Sequence, residues 1–419
     1  MKILFWFLLS FSICCDEITA QILTIHHINV GQGDATLIRH SNGKTVLIDA
    51  GNTGKGRNVV LPFLQTLGVT SLDCLVASHY HADHIGGLDE VIQGLSPDSI
   101  RSVFDRGSNP PLPTTKAFSE YWSAAENTNR HYQIALGQTI GLSDSVTLRC
   151  LAVDGVVLNF GEVQNSRKDE NNLSLVWLLS LRRSTGGKRY TFKYFTGGDC
   201  GDVTGTYADL ETPLAAFAGD VDALKINHHG SRYSTNQTFL DSLRPEAVVI
   251  SVGDRNTYGH PTQETLDRLQ NAESVRFIYQ TETGDGGTVS KVKVLGTVTI
   301  ALYGTFYTVA VDTFQLAWQP ESQAGKGVTA INEKDGRTHR EINASFENQI
   351  LTLELSKDTF VSVQLYNVLG QLVYNLADGV LAQGTHRIRL THLHLPTGVY
   401  FIRVKTPAEI VTQKVVVIR

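Results

Sequence analysis

Two hydrophobic patterns divide this chain. Between residues 22 and 311, short apolar runs alternate with stretches of helical spacing. From residue 350 onward the pattern is that of strands alone. Residues 22–30 and 35–40 run apolar around Gly31-Gln32-Gly33, and 45–48 follow, which predicts antiparallel strands joined by tight turns. Residues 59–67 have helical spacing ended by Gly68. Residues 72–77 read as a buried strand, and 88–93 as the helix after it. Further strands are predicted over 146–152, 173–181, 190–195 and 223–226, and a helix over 263–270 with Thr262 as its cap. Residues 105–129, rich in Pro, Ser, Thr and Asn, read as a long surface loop over a cleft. This alternation suits an α/β fold, an αβ/βα sandwich, over residues 21–315. Residues 316–345 read as a polar, glycine-bearing linker, and 346–419 as a small all-β sandwich in which Val361, Val363 and Leu365 alternate.

The composition is that of a globular protein with a sizeable core: 419 residues, 42% hydrophobic and 18% charged. A net charge of −5 argues against a broadly basic surface for nucleic acid. The densest basic stretch, Arg182, Arg183, Lys188, Arg189 and Lys193, reads as a solvated hairpin. Lys2 followed by the apolar run 3–15 predicts an export signal, cleaved after Ala20. Neither Cys14 nor Cys15 follows a small residue, so ordinary cleavage is expected rather than a lipid anchor. No later segment is long and apolar enough to span a membrane as a helix. Cleavage leaves Cys74, Cys150 and Cys200, an odd number that requires a free thiol or an intermolecular bond; Cys200 reads as a buried bystander.

The candidate chemistry is concentrated in Ser78-His79-Tyr80-His81-Ala82-Asp83-His84. Three imidazoles and a carboxylate within six positions are ligand types for zinc, manganese or iron. The segment leaves a buried strand, where a rigid sheet presents side chains to a cleft. His79 and His81, two apart, can aim at one ion, while Asp83 and His84 suit a second. Asp199, beyond the strand 190–195, is placed to bridge them. His228 and His229 follow another strand, and adjacent residues point in different directions. One is therefore expected to bind metal and the other to face substrate; either fits.

His79, His81, Asp83 and His84 match the signature of the metallo-β-lactamase fold. Five more motifs occur in order around them. They are Asn29-Val30-Gly31-Gln32-Gly33-Asp34-Ala35, Leu47-Ile48-Asp49-Ala50-Gly51, Thr196-Gly197-Gly198-Asp199 and His228-His229-Gly230-Ser231, followed by Tyr258-Gly259-His260-Pro261. Over residues 23–302 the chain thus resembles the metallo-hydrolase domain of the ComEC/Rec2 type of competence protein, here expected without the membrane channel. The resemblance implies one or two divalent metal ions, zinc or manganese, held by His79, His81, Asp83, His84, Asp199, His228 and His229. It implies that Asp49 stands behind the ligands and orients their imidazoles. Many enzymes of this fold use a further histidine before the bridging Asp. Here the only candidate is His131, read as a surface residue, and the competence-type Asn-x-x-Ser is matched by Asn171 and Ser174. An amide in place of an imidazole makes manganese credible beside zinc. Asp83, His260, Asn171 and Ser174 are the candidate catalytic residues. His260 is expected to hold a phosphate oxygen or protonate a leaving group.

The tail resembles the C-terminal sorting domain of the type IX secretion system through Leu365-Tyr366-Asn367-Val368-Leu369-Gly370-Gln371, Leu395-Pro396-Thr397-Gly398-Val399-Tyr400-Phe401 and Gln413-Lys414-Val415-Val416. That implies the type IX machinery as a partner and a secreted or cell-surface location. The resulting expectation is an exported metal-dependent hydrolase acting on a phosphodiester, with nucleic acid among its substrates. The alternatives are another ester, a lactone or a β-lactam as substrate, or a surface binding protein on a hydrolase scaffold.

Overall fold

The structure is a computed structural model that describes residues 20–201, 208–320, 342–347, 350–367, 372–389, 398–406 and 410–417. The expected export signal, the Leu369-Gly370-Gln371 turn and most of the expected linker lie outside these. The chain divides into two units, 1–327 and 328–419.

The first unit contains two large sheets. One has nine strands in the order Asp312–Gln315, Phe306–Val309, Val298–Leu302, Leu23–His27, Thr36–His40, Thr45–Ile48, Cys74–Val76, Val103–Asp105 and His131–Gln133. Pairing is antiparallel as far as Thr45–Ile48 and parallel from there on. In the other sheet the antiparallel hairpin Val176–Thr185/Lys188–Thr196 leads into three parallel strands, Ala223–Lys225, Ala247–Ile250 and Phe277–Gln280.

Strand alternation builds the layers. Ile25, Ile38 and Val46 of the first sheet meet Trp177, Leu179, Phe192 and Tyr194 of the second in a core between the sheets. The opposite faces carry Leu37, Leu47 and Leu75, packed with Leu64, Leu88 and Val91 of the helices Leu61–Thr66 and Leu88–Leu95. Phe195, Leu224 and Val248 do the same against Phe239, Leu240 and Leu266 of Gln237–Leu243 and Gln263–Asn271. Apolar residues on both faces explain why these strands read as continuous hydrophobic runs. The result is a helix–sheet–sheet–helix sandwich, an αβ/βα fold.

Several expectations require correction. Residues 105–129 are not one surface loop: Lys116–Asn127 is a helix, capped by Thr115 Oγ1 accepting the Phe118 N–H at 3.2 Å. Its buried positions are Ala117, Tyr121, Ala124 and Ala125, a narrow stripe of mostly small residues. His131 is not a surface residue. Its side chain is 7% exposed, with Nε2 2.6 Å from Asp105 and Nδ1 2.7 Å from Glu126. Thr262 precedes the helix Gln263–Asn271, but its hydroxyl donates to the Gly230 carbonyl and caps no helix N–H. Strand Trp318–Pro320 pairs with Lys188–Tyr190, so the sheet of the first unit extends into the region expected as linker. Cys74, Cys150 and Cys200 are all buried and free.

The second unit has a three-stranded sheet, Ile342–Glu347, Ile350–Leu355 and Gly384–Arg389. Its four-stranded sheet runs Leu372–Leu381, Thr359–Asn367, Gly398–Lys405 and Ile410–Val417. Leu351, Leu353 and Leu355 share one core with Val361, Val363, Leu365, Ile402 and Val404. It is a small β-sandwich.

Candidate metal centre

Strand ends of both sheets converge on one place. His79 follows Cys74–Val76, Asp199 follows Lys188–Thr196, and His228-His229 follow Ala223–Lys225, each just beyond a strand's carboxyl end. That is where parallel sheets place ligand sites. His81 is the residue before the short helix Ala82–Ile85, which turns Asp83 and His84 back toward the cleft.

Local backbone conformation serves the same end. His228 and His229 have φ of 50° and 53°, and Asp49 has 61°. Left-handed non-glycine residues cost on the order of 1–3 kcal/mol each and persist only where surrounding contacts hold them. Here the His228 N–H donates to the Gly198 carbonyl at 3.2 Å, and the Ser231 N–H returns to the His228 carbonyl at 2.8 Å. His229 Nδ1 donates to the Ser251 carbonyl at 2.8 Å, which leaves Nε2 to face Asp83 at 3.3 Å and Asp199 at 3.4 Å.

Asp49 is wholly committed to orientation. Its Oδ1 accepts the Ser78 N–H at 2.8 Å, and its Oδ2 accepts the Ser78 hydroxyl at 2.6 Å and His84 Nδ1 at 2.8 Å. His84 Nε2 is thereby turned to Asp199, 3.3 Å away. The His79 and His81 rings present Nε2 and Nδ1 to each other at 3.1 Å. Two converging imidazole nitrogens make a natural seat for a cation.

The electrostatics are those of a site built around positive charge. Burial alone would raise the Asp199 carboxyl, but His229, His84 and His228 outweigh it and hold it well below the carboxylate range. Burial opposes charge on His84, yet Asp199, Asp49 and Asp83 raise it well above an ordinary histidine. Burial opposes charge on His229 too, but Asp199 and Asp34 push it up to about 10. Both imidazoles hold a second proton when only carboxylates face them, and a bound cation would displace it. At His79 burial and the neighbouring His84 outweigh Asp199 and Asp83, and the imidazole lies well below the usual value.

A metal ion fits this donor set. His84 Nε2, His229 Nε2, Asp199 Oδ1 and Asn171 Oδ1 are buried and make no hydrogen bond among the described residues. Unpartnered buried polar atoms carry a desolvation penalty, and a divalent ion would relieve it. Ligand atoms of Asp34, His84, Asp199 and His229 all lie within 4.8 Å of one another.

All the expected ligands are therefore gathered here. Of the histidine pair, His229 is fully buried against Asp83 and Asp199, whereas His228 is 25% exposed, 3.9 Å from Asp199 and 3.5 Å from Asn171 Nδ2. Ser174 is fully buried and its Oγ accepts the Asp199 N–H at 3.3 Å. It braces the Asp199 turn. His260 stacks on His229 with ring centroids 6.3 Å apart, and burial together with His229 and His228 lowers it to about 4.

Two residues, Lys225 and Asp34, escaped the sequence reading as parts of the site. Lys225 is buried, with Nζ 2.5 Å from Asp34 Oδ2, and also donates to the Gly198 and Ile226 carbonyls. Burial opposes its charge, but Asp34 and Asp199 hold it protonated. The signal was a lysine inside the apolar run Ala223-Leu224-Lys225-Ile226, since lysine is almost never fully buried unless paired.

Replacing Asp49 with Asn keeps the size but turns a donor or a weaker acceptor toward His84 and Ser78. Asp49→Asn is expected to weaken metal affinity about 10–100-fold. Chelator competition measures it; affinity within twofold of wild type would exclude an orienting role.

Residues 28–108 match the metallo-beta-lactamase superfamily, and residues 347–418 match the secretion system C-terminal sorting domain. ComE operon protein 3 of Bacillus subtilis is 27% identical over 282 residues, covering 61% of this chain and 32% of that protein. Recombination protein 2 of Haemophilus influenzae is 27% identical over 253 residues, covering 59% of this chain and 26% of that protein. The chain thus spans about a third or less of the curated relatives it matches. Among solved structures, the metallo-beta-lactamase fold protein YhfI from Bacillus subtilis aligns with 63% of this chain and 98% of its own, at 13% identity and a TM-score of 0.37. The first unit has the metallo-β-lactamase fold and is similar to part of these competence proteins, and the tail matches a secretion sorting domain, which indicates export.

Proposed function

We propose that this chain is an exported phosphodiesterase or nuclease-like hydrolase that acts through metal-activated water. The observation that carries the reading is the set of buried ligand atoms on His84, His229, Asp199 and Asn171 that make no hydrogen bond among the described residues, gathered by a metallo-β-lactamase sandwich. The ordered motifs shared with the competence-type domains favour a phosphodiester over other hydrolysable bonds.

His79, His81 and Asp199, with Asn171 beside them, would hold one ion. Asp83, His84, His229 and Asp199 would hold a second. Carboxylate and amide oxygens in the set favour manganese alongside zinc. A bound divalent ion supplies a water whose pKa falls to roughly 7, a nucleophile at neutral pH.

The protein's own groups do the rest. Asp49 and the Ser251 carbonyl fix the tautomers of His84 and His229, so that each presents Nε2. Asp199 keeps its charge among three imidazoles. His260, lowered to about 4, is neutral at pH 7, and its buried Nδ1 has no hydrogen-bond partner. A neutral imidazole suits donating a hydrogen bond to a phosphoryl oxygen better than protonating a leaving group. Tyr258, 69% exposed and stacked on His260 at 5.6 Å, forms the rim beside it.

Purified protein should hydrolyse bis-(p-nitrophenyl) phosphate, and linear or single-stranded DNA, in Mn²⁺ or Zn²⁺ and lose that activity in EDTA. Turnover of an ester, lactone or β-lactam with no phosphodiester turnover would replace the phosphodiester assignment. Metal binding without turnover of any of these would favour a binding protein.

For export, we propose cleavage after Ala20 and passage through the type IX machinery with removal of the C-terminal unit. Mass spectrometry of surface or medium material should find a chain beginning at Gln21 and lacking the 347–418 segment. An intact precursor outside the cell would exclude this processing.

A further inference from the structure

Arg106 is fully buried, and none of its partners is a candidate metal ligand. It follows the strand Val103–Asp105 of the first sheet. Its Nε and Nη2 donate to the two oxygens of Glu170 at 3.0 and 2.8 Å, a bidentate fork. Nη1 donates to the Asn109 carbonyl at 2.9 Å and Nη2 to the Pro111 carbonyl at 2.6 Å, while Asp154 Oδ1 lies 3.4 Å from Nη1. The guanidinium also lies over the Tyr80 ring, 4.4 Å from its centroid.

Glu170 joins two parts of the site. Its Oε1 accepts the backbone N–H of Tyr80 at 2.9 Å, and Tyr80 stands between His79 and His81. Glu170 also immediately precedes Asn171, whose amide faces His228 at 3.5 Å. The first ligand pair comes from one sheet, and Asn171 opens the approach to a strand of the other. One carboxylate thus spans both, and Arg106 fixes both of its oxygens.

We propose that Arg106 and Glu170 form a positioning clamp that sets the spacing of His79 and His81 from Asn171 and thereby tunes metal affinity. The inference rests on the metal-site reading above. A lysine at 106 would keep the charge but lose the planar fork, so that one oxygen of Glu170 and the Tyr80 backbone could drift. A displacement of a few tenths of an ångström matters for a metal–nitrogen bond and little for overall packing, which separates a positioning role from a merely structural one.

The test titrates Co²⁺ alone into the full, chelator-stripped chain and follows its visible absorption bands with a competing chelator. Arg106→Lys and Glu170→Gln are compared with Asp312→Asn. The last loses the Lys293 and Tyr279 contacts of Asp312 and serves as a destabilised control outside the ligand set. Thermal melts in EDTA match the variants for stability. Both clamp variants should bind Co²⁺ about 10–100-fold more weakly, with altered bands, while Asp312→Asn binds as wild type. Folded clamp variants with wild-type affinity and spectrum would overturn the proposal. Should Arg106→Lys not fold, Glu170→Gln decides alone, because the amide keeps the size and Asp154 still faces the guanidinium. Failure of the wild type itself to bind Co²⁺ would instead strike the metal-site reading, and the clamp with it.

Discussion

Asp199→Ala is expected to abolish metal retention and hydrolysis while leaving a folded chain. The carboxylate lies 3.3 Å from His84, 3.4 Å from His229 and 3.9 Å from His228, so it serves every imidazole on that side of the site. Removing it takes away the charge that holds His84 and His229 in register and, on the two-ion reading, the carboxylate that both ions would share. Loss of an outer, orienting partner costs about 10–100-fold in metal affinity or activity, and loss of a shared ligand should exceed that. Asp199→Asn should fall nearly as far, since it keeps the shape and removes the charge. Circular dichroism establishes folding, elemental analysis the metal, and bis-(p-nitrophenyl) phosphate the turnover. Folded Asp199→Ala with wild-type metal content and kcat/KM would remove Asp199 from the centre.

Lys225→Met should carry the largest stability effect of any single exchange at the site. It leaves Asp34 buried and ionised with no ammonium 2.5 Å away, and breaking a buried pair from one side costs about 3–5 kcal/mol. Adding Asp34→Asn should restore much of this, because the amide carries no charge to strand. Urea denaturation in EDTA measures both chains. A single-variant loss below about 1 kcal/mol, or no recovery in the double variant, would show that the pair is not a mutually dependent unit.

The loop His79–His84 was legible because few ordinary surfaces place three imidazoles and a carboxylate so close together. The layers were legible because strands packed on both faces leave unbroken apolar runs. Asp49 was visible as a motif residue, and the structure supplies the reason, two oxygens occupied by Ser78 and His84. Other features were hidden for physical reasons. The helix Lys116–Asn127 buries mainly alanines and one tyrosine, so its stripe is faint beside its polar neighbours. Arg106, Lys225 and His131 are buried or nearly so because carboxylates distant in sequence meet them: Glu170, Asp34 and Asp105. Periodicity reports which face an element buries; it does not report a charge pair closed across 26 to 191 positions. Ser174 had the right motif position, and the structure adds that its hydroxyl oxygen accepts the Asp199 N–H.

The most direct test of the central claim is the metal content of the chain purified without chelator, followed by titration of stripped protein with Mn²⁺ and Zn²⁺. At least one transition metal per chain is expected, with stripped protein regaining both metal and phosphodiesterase activity together. A wild-type chain that is folded, metal-free and unable to take up either ion would contradict the account.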